Sequence, residues 1–264
     1  MSDNAIRVRD LTKTFGGKTQ LFGRASHEVR ALTKVSVDLK QGETLAVVGE
    51  SGSGKSTLAR ILVGLETPTS GTIEIAGQSA DDLRKQGPKA FGRTVQYVFQ
   101  ETVASLNPRK TIAQILETPL SLLAGHAAPE RKSRMRELMQ AVDMPEDALD
   151  RYPHEMSGGQ AQRMAIARAL AAEPDILILD EPVSALDVSV QAQVLLLLQR
   201  LKDELGLSYL FISHDLAVVE AIADRVAVMH FGEIVELEEA GRLFREPVHP
   251  YTQKLLQSAP RIAR

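Results

Sequence analysis

The run TLAVVGESGSGKSTLARIL, Thr44 to Leu62, constrains the architecture more than any other stretch of the chain. An apolar strand, TLAVV, feeds into GESGSGKS, Gly49 to Ser56, which satisfies G-x-x-x-x-G-K-[ST] in full, and the leucines and isoleucine of STLARILVGL follow at helical spacing. Strand, glycine-rich loop and helix in that order let successive backbone N–H groups converge on phosphate oxygens at a helix start. Gly49, Gly52 and Gly54 allow the turn, Lys55 adds a point charge at the outer phosphates, and Ser56 offers a hydroxyl to Mg²⁺. The loop specifies a nucleoside triphosphate and leaves the reaction open.

A second strand narrows the chemistry. DILILDEP delivers Asp180 and Glu181 just past an apolar run, where charged groups are costly unless they are employed. Asp180 suits a metal and Glu181 suits the group that orients or deprotonates an attacking water. Farther along, HEMSGGQAQRMAIARAL opens with a Ser-Gly-Gly turn leading into an apolar-periodic helix, a further anion seat at a helix N-terminus.

Strand and helix patterns alternate around these motifs, as a parallel α/β sheet requires. IRVRDLTKTF, VSVDLKQGETLAVVGE and SGTIEIAG read as strands before and after the loop; DILILDEP, SYLFISHD and the pair DRVAVMHFGEIVEL, turning at Phe231-Gly232, read as strands in the second half. Between the halves, Ala113 to Asp150 is helical in pattern, with Leu138, Met139 and Val142 on one face, and reads as an inserted subdomain. The chain has 264 residues, 44% of them hydrophobic, with net charge −3, so no broad basic field draws in nucleic acid, and nucleic acid is not an expected partner. It has no cysteine, which excludes disulfides, thiolate metal sites and iron–sulfur clusters. The polar start MSDNAIRVRD is unlike a signal peptide, and the apolar run VLLLLQRL is far shorter than the roughly 20 residues of a membrane span. A cytoplasmic chain that meets the membrane through a partner is therefore expected.

Taken together, GESGSGKS, MSGGQ at Met156 to Gln160, LILDEP at Leu177 to Pro182, SALD at Ser184 to Asp187 and the histidine of FISHD, His214, resemble the ATP-binding cassette of ABC proteins over nearly the whole chain. Met156 replaces the family's usual leucine, a change that conserves volume. The resemblance implies a P-loop NTPase (RecA-like) α/β core with a parallel sheet, an N-terminal antiparallel β subdomain and an inserted α-helical subdomain. In those terms 1–264 is one ABC ATPase domain, with 1–100 and 161–235 forming the core, 101–160 the helical subdomain and 236–264 a C-terminal extension. It implies that ATP and Mg²⁺ are bound by Gly49, Glu50, Ser51, Gly52, Ser53, Gly54, Lys55, Ser56 and Thr57, with Ser56, Gln100 and Asp180 at the metal. The resemblance further implies that Glu181, His214 and Lys55 carry catalysis, His214 as the γ-phosphate sensor, and that Phe15, or its rival Phe22, stacks on adenine. Two such cassettes pack head to tail, so Ser157, Gly158, Gly159, Gln160 and Asp187 would serve the nucleotide of the facing subunit.

SLNPR at Ser105 to Arg109, SALDVSVQAQVL and EPVHPYTQKLL at Glu246 to Leu256 resemble the importers for oligopeptides, dipeptides and nickel. ETVASLNPR departs from the usual acidic-Pro sequence after Gln100. On its own HPYT is a Pro-bounded packing turn. The implied function is the ATP-hydrolysing subunit of a peptide importer, with a nickel importer as the alternative and a soluble non-transport ABC ATPase more remote. The implied partners are a second ABC ATPase subunit, of a different chain, two membrane permease subunits met through the helical subdomain, and an extracytoplasmic substrate-binding protein. The implied location is peripheral, on the cytoplasmic face of the bacterial inner membrane.

Overall fold

Three short strands of near-continuous apolar sequence lie at the centre: β3 (Thr44–Val48), β7 (Ile176–Asp180) and β8 (Ser208–Ile212), with every residue of each buried. Strands apolar on both faces belong in a parallel sheet covered on both sides. The computed structural model, which describes residues 3–16 and 28–258, forms that sheet in the order β10-β9-β3-β8-β7-β6. Strands β6 (Val95–Val98) to β9 (Arg225–His230) run parallel with β3, and β10 (Glu233–Glu239) returns antiparallel to β9 through the expected Phe231-Gly232 turn.

A second, antiparallel sheet has the order β2-β1-β4-β5, from β1 (Asn4–Phe15), β2 (Val29–Lys40), β4 (Ser70–Ile75) and β5 (Gln78–Ser79). Its inner face, with Val8, Leu11, Leu32 and Val37, closes over Leu45 and Val47 of β3 and over Leu58 and Ile61 of α1 (Lys55–Leu62) in one apolar cluster. The helices α2 (Ala80–Lys85) and α3 (Pro88–Thr94) lead into β6.

After β6 come α4 (Thr102–Ser105), α5 (Ile112–Pro119), a π-helical turn over Leu120–Ala124, α6 (Ala128–Ala141) and two 3₁₀ turns ending at Glu155. The expected face of Leu138, Met139 and Val142 is buried. Helix α7 (Gly158–Leu170) joins this segment to the sheet: its Met164, Ile166 and Ala169 share one cluster with Ile112, Leu116 and Leu138 on one side and with Leu177, Leu179 and Phe211 on the other. Two elements run across the expected divides, α7 through 160–161 and β10 through 235–236.

On α8 (Val188–Leu205), Val194, Leu197, Leu198 and Leu201 are buried at i, i+3, i+4 and i+7, a single helix face against the core, and Gly206 ends the helix at φ 66°. Helices α9 (Leu216–Ile222), α10 (Ala240–Leu243) and α11 (Pro250–Ser258) gather around Val48, Val226 and Val228. Among the described residues, no helix is long and apolar enough to cross a membrane.

Candidate active site

Strand order explains why distant motifs meet. The glycine-rich loop follows β3, Gln100 follows β6, Asp180 ends β7 and His214 follows β8. Because these strands are parallel neighbours, their C-terminal ends form one edge, where open α/β sheets bind ligands. A cleft of about 590 Å³ opens there. Ser51, Gly52, Gly54, Lys55, Ser56 and Thr57 form its floor, Gln100, Glu181 and His214 one side, and Val29–Ala31 of the second sheet the other.

Two glycines of the loop are required by close approach. A Cβ on Gly49, at φ 150°, would lie 2.1 Å from the Met229 carbonyl oxygen, and one on Gly54, at φ 108°, would lie 2.5 Å from that of Ala31. Lys55 and Ser53 are buried, and the Lys55 ammonium donates to the carbonyls of Gly49 at 2.8 Å and Glu50 at 2.9 Å. Burial lowers the Lys55 pKa, and the negative charges of Glu181 and Asp180 oppose that shift.

Asp180 is 5% exposed and held from two sides. The Tyr97 hydroxyl donates to Oδ2 at 2.6 Å and the Ser56 hydroxyl to Oδ1 at 3.4 Å. Burial, and then the bond to Asp180, push the Tyr97 phenol far above its ordinary pKa, so it remains a donor. Tyr97 escaped the sequence reading because a tyrosine in an apolar strand reads as core; the signal was its hydroxyl, which needs a partner when buried. Ser56 and Asp180 supply only oxygens, as a hard cation demands, and so few protein oxygens suit Mg²⁺ that completes its shell with phosphates and water. The site therefore fits the metal the sequence reading expects.

Glu181 sits in the left-handed region at φ 48°, a conformation that costs about 1–3 kcal/mol in a non-glycine residue and is held here by its N–H donating to the Ile212 carbonyl at 2.9 Å. The turn aims its carboxylate between two groups: Gln100 Nε2 donates to Oε2 at 2.8 Å, and His214 Nδ1 lies 3.0 Å from Oε1. Asp215, beside His214, caps α9 by accepting from Ala217 and Val218 N–H.

The remaining expected residues lie outside the cleft. Ser157 caps α7 in a capping box with Gln160, its Oγ accepting the Gln160 N–H at 3.3 Å, and Ser157 and Gly158 face solvent. Gly159 packs against Val190. Asp187 caps α8, accepting from the Ser189 hydroxyl at 2.7 Å and Val190 N–H at 3.0 Å; the serine bond comes first among the causes that lower its pKa. Phe15 is the cross-strand partner of Val29 at the cleft wall, with the Lys13 ammonium 4.6 Å over its ring. Phe22 lies outside the described residues.

With this geometry in hand, the relatives are informative. A family model described as ABC transporter matches residues 32–184, and one described as oligopeptide/dipeptide transporter, C-terminal region, matches residues 235–264. The chain is 50% identical over 260 residues to the dipeptide transport ATP-binding protein DppF of Escherichia coli, covering 97% of this chain and 77% of that protein. It is 47% identical over 259 residues to the oligopeptide transport ATP-binding protein AppF of Bacillus subtilis, covering 98% and 79%. Among solved structures, the ATP-binding cassette MJ0796, a dimer in a post-hydrolysis state bound to ADP and Pi, superposes with a TM-score of 0.76 at 30% identity over 89% of this chain and 98% of that one. CbiO1 of Clostridium perfringens, part of the ABC transporter complex cbiONQ, superposes with a TM-score of 0.79 at 27% identity over 93% and 92%.

Proposed function

The chain belongs to the ABC transporter ATP-binding family, and from that membership we propose that it hydrolyses ATP to drive the import of dipeptides and oligopeptides through a membrane permease. The observation that carries the ATPase reading is the carboxylate of Glu181, aimed by its strained turn into the cleft and fixed by Gln100 and His214. A carboxylate so held can accept a proton from water and orient that water for in-line attack, which is the main task in phosphoryl transfer beyond charge neutralisation.

The other groups divide the remaining work. The loop amides and Lys55 neutralise phosphate oxygens, and Lys55 is already desolvated, so its charge acts at short range through little water. His214, one bond from Glu181, is the proposed contact for the γ-phosphate. Ser56 and Asp180 are the proposed Mg²⁺ holders, with Gln100 at the rim; bound there, Mg²⁺ supplies charge neutralisation at the outer phosphates. Tyr97 keeps one Asp180 oxygen occupied and leaves the other directed at Ser56. Phe15 is the proposed adenine platform.

The exposed Ser157 and Gly158 at the start of α7 support a facing cassette as partner, because a helix N-terminus open to solvent is a seat for phosphate from outside the chain. Exposed Val103 and Leu122 on the helical segment support that segment as the permease contact. We assign the chain to the cytoplasmic face of the inner membrane, with two permease subunits, a second cassette of different sequence and an external substrate-binding protein. The match of residues 235–264 to the oligopeptide/dipeptide C-terminal region favours peptides over nickel as cargo.

The test is uptake in a strain lacking this chain, with labelled dipeptides, labelled oligopeptides and radioactive nickel scored in parallel and a Lys55→Ala complement as control. Peptide uptake is expected to fall and to be restored by the wild-type gene alone. Loss of nickel uptake with peptide uptake intact would move the chain to the metal branch.

A further inference from the structure

The HPYT segment does more than pack. Glu236 on β10 clasps it, accepting the Val248 N–H at 2.8 Å and the His249 N–H at 3.0 Å, and the His249 ring accepts the Tyr251 N–H at 3.2 Å. From this turn Tyr251 reaches the nucleotide loop, where its hydroxyl oxygen accepts the backbone N–H of Glu50 at 3.1 Å. Its ring stacks on His230, centroids 3.7 Å apart and planes 23° from parallel.

His230 ends β9, and the same hairpin supports the loop at two further points. The Met229 carbonyl is the surface against which Gly49 packs, and the Gly232 N–H donates to the Ser53 carbonyl at 3.0 Å. The entry of the loop thus rests on the β9–β10 hairpin and on one side chain from the C-terminal segment, itself tied to that hairpin through Glu236.

We propose that Tyr251 is a positioning residue for ATP binding: its hydroxyl, held in place by the His230 stack, fixes the Glu50 amide and with it the path by which the loop enters its phosphate-binding turn. The inference rests on the loop's being the ATP site. Water could satisfy the same amide at similar energy but would not fix its position. A loop anchored before ATP arrives loses less freedom on binding, which appears as affinity.

Tyr251 also packs against the apolar cluster around Val48 and Val228, so a purely structural role must be separated from this one. Tyr251→Phe does so, because it keeps the ring, the packing and the stack and removes only the acceptor. Gln253→Ala serves as control: its Nε2 donates to the Pro247 carbonyl within the same turn and does not touch the loop. Titration of the purified chains with MgATP is paired with melting in the absence of nucleotide and with hydrogen exchange at the Glu50 amide.

For Tyr251→Phe, Kd for ATP is expected to rise about three- to tenfold, the range for ordering one further group on binding, with an unchanged melting temperature and faster exchange at Glu50. Gln253→Ala is expected to change none of these. Equal ATP affinity in Tyr251→Phe and wild type overturns the inference, as does an affinity loss matched by a fall in melting temperature. A wild-type chain that binds no ATP would instead overturn the ATPase reading.

Discussion

At the scale of single residues, the site is organised around two adjacent carboxylates in unlike surroundings. Asp180 is buried and bonded by Tyr97 and Ser56, whereas Glu181 is turned out by a left-handed backbone toward Gln100 and His214. Replacing Glu181 by Gln keeps the size and removes the proposed base, so ATP binding is expected to persist while the hydrolytic step slows by about 10²-fold or more in single-turnover phosphate release. Near wild-type turnover would remove Glu181 from that role. Tyr97→Phe leaves the buried Asp180 short of a donor. It is expected to destabilise the chain by about 1–3 kcal/mol in urea unfolding and to raise the Mg²⁺ concentration for half-maximal hydrolysis. The sequence made Asp180 and Glu181 visible because carboxylates beside an apolar strand need a reason. It did not make Tyr97 visible, since the partner of its hydroxyl lies 83 positions away and meets it only when β6 and β7 pair in register.

At the scale of elements, the helix that starts with Ser157 is shaped by what lies beside it. A Cβ on Gly159 would come within 2.5 Å of Val190 Cγ1, and valine in the first turn of α8 has little rotamer freedom with which to yield. Gly159→Ala is therefore expected to lose about 1–3 kcal/mol in urea unfolding by forcing α7 and α8 apart. A Val190→Ala second change, which opens the space, is expected to recover most of that loss; failure of the double variant to recover would show that the contact with Val190 is not its cause. Motif order and apolar runs made β3, β7, β8, the Phe231-Gly232 hairpin and the helical insertion legible. The expected divides were less so, because α7 is apolar toward both the helical segment and the sheet, and β10 continues its pairing with β9 as far as Glu239. Likewise HPYT carries no local sign that it reaches a loop some 200 positions earlier; the contact of Tyr251 with Glu50 spans a separation of 201.

At the scale of the whole molecule, the described residues place the proposed nucleotide cleft at the C-terminal edge of the sheet and an exposed helix start at Ser157 apart from it. If that helix start completes the seat of a facing cassette, its charge must matter to association and not to ATP binding by the isolated chain. Ser157→Asp separates the two roles of this residue. Aspartate caps a helix as well as serine does and suits the positive end of the helix dipole, so α7 and the melting temperature are expected to hold. The same carboxylate would meet a γ-phosphate with like charge, so ATP-driven association is expected to fail. The measurement is sedimentation of this chain with its facing cassette, carrying the Glu181→Gln background to retain ATP. ATP is expected to shift the Ser157-containing pair to a faster-sedimenting species. With Ser157→Asp, ATP titrations of the isolated chain are expected to be unchanged while that species disappears; if it persists at wild-type levels, the Ser-Gly-Gly start is a helix cap alone and the nucleotide is enclosed by other residues.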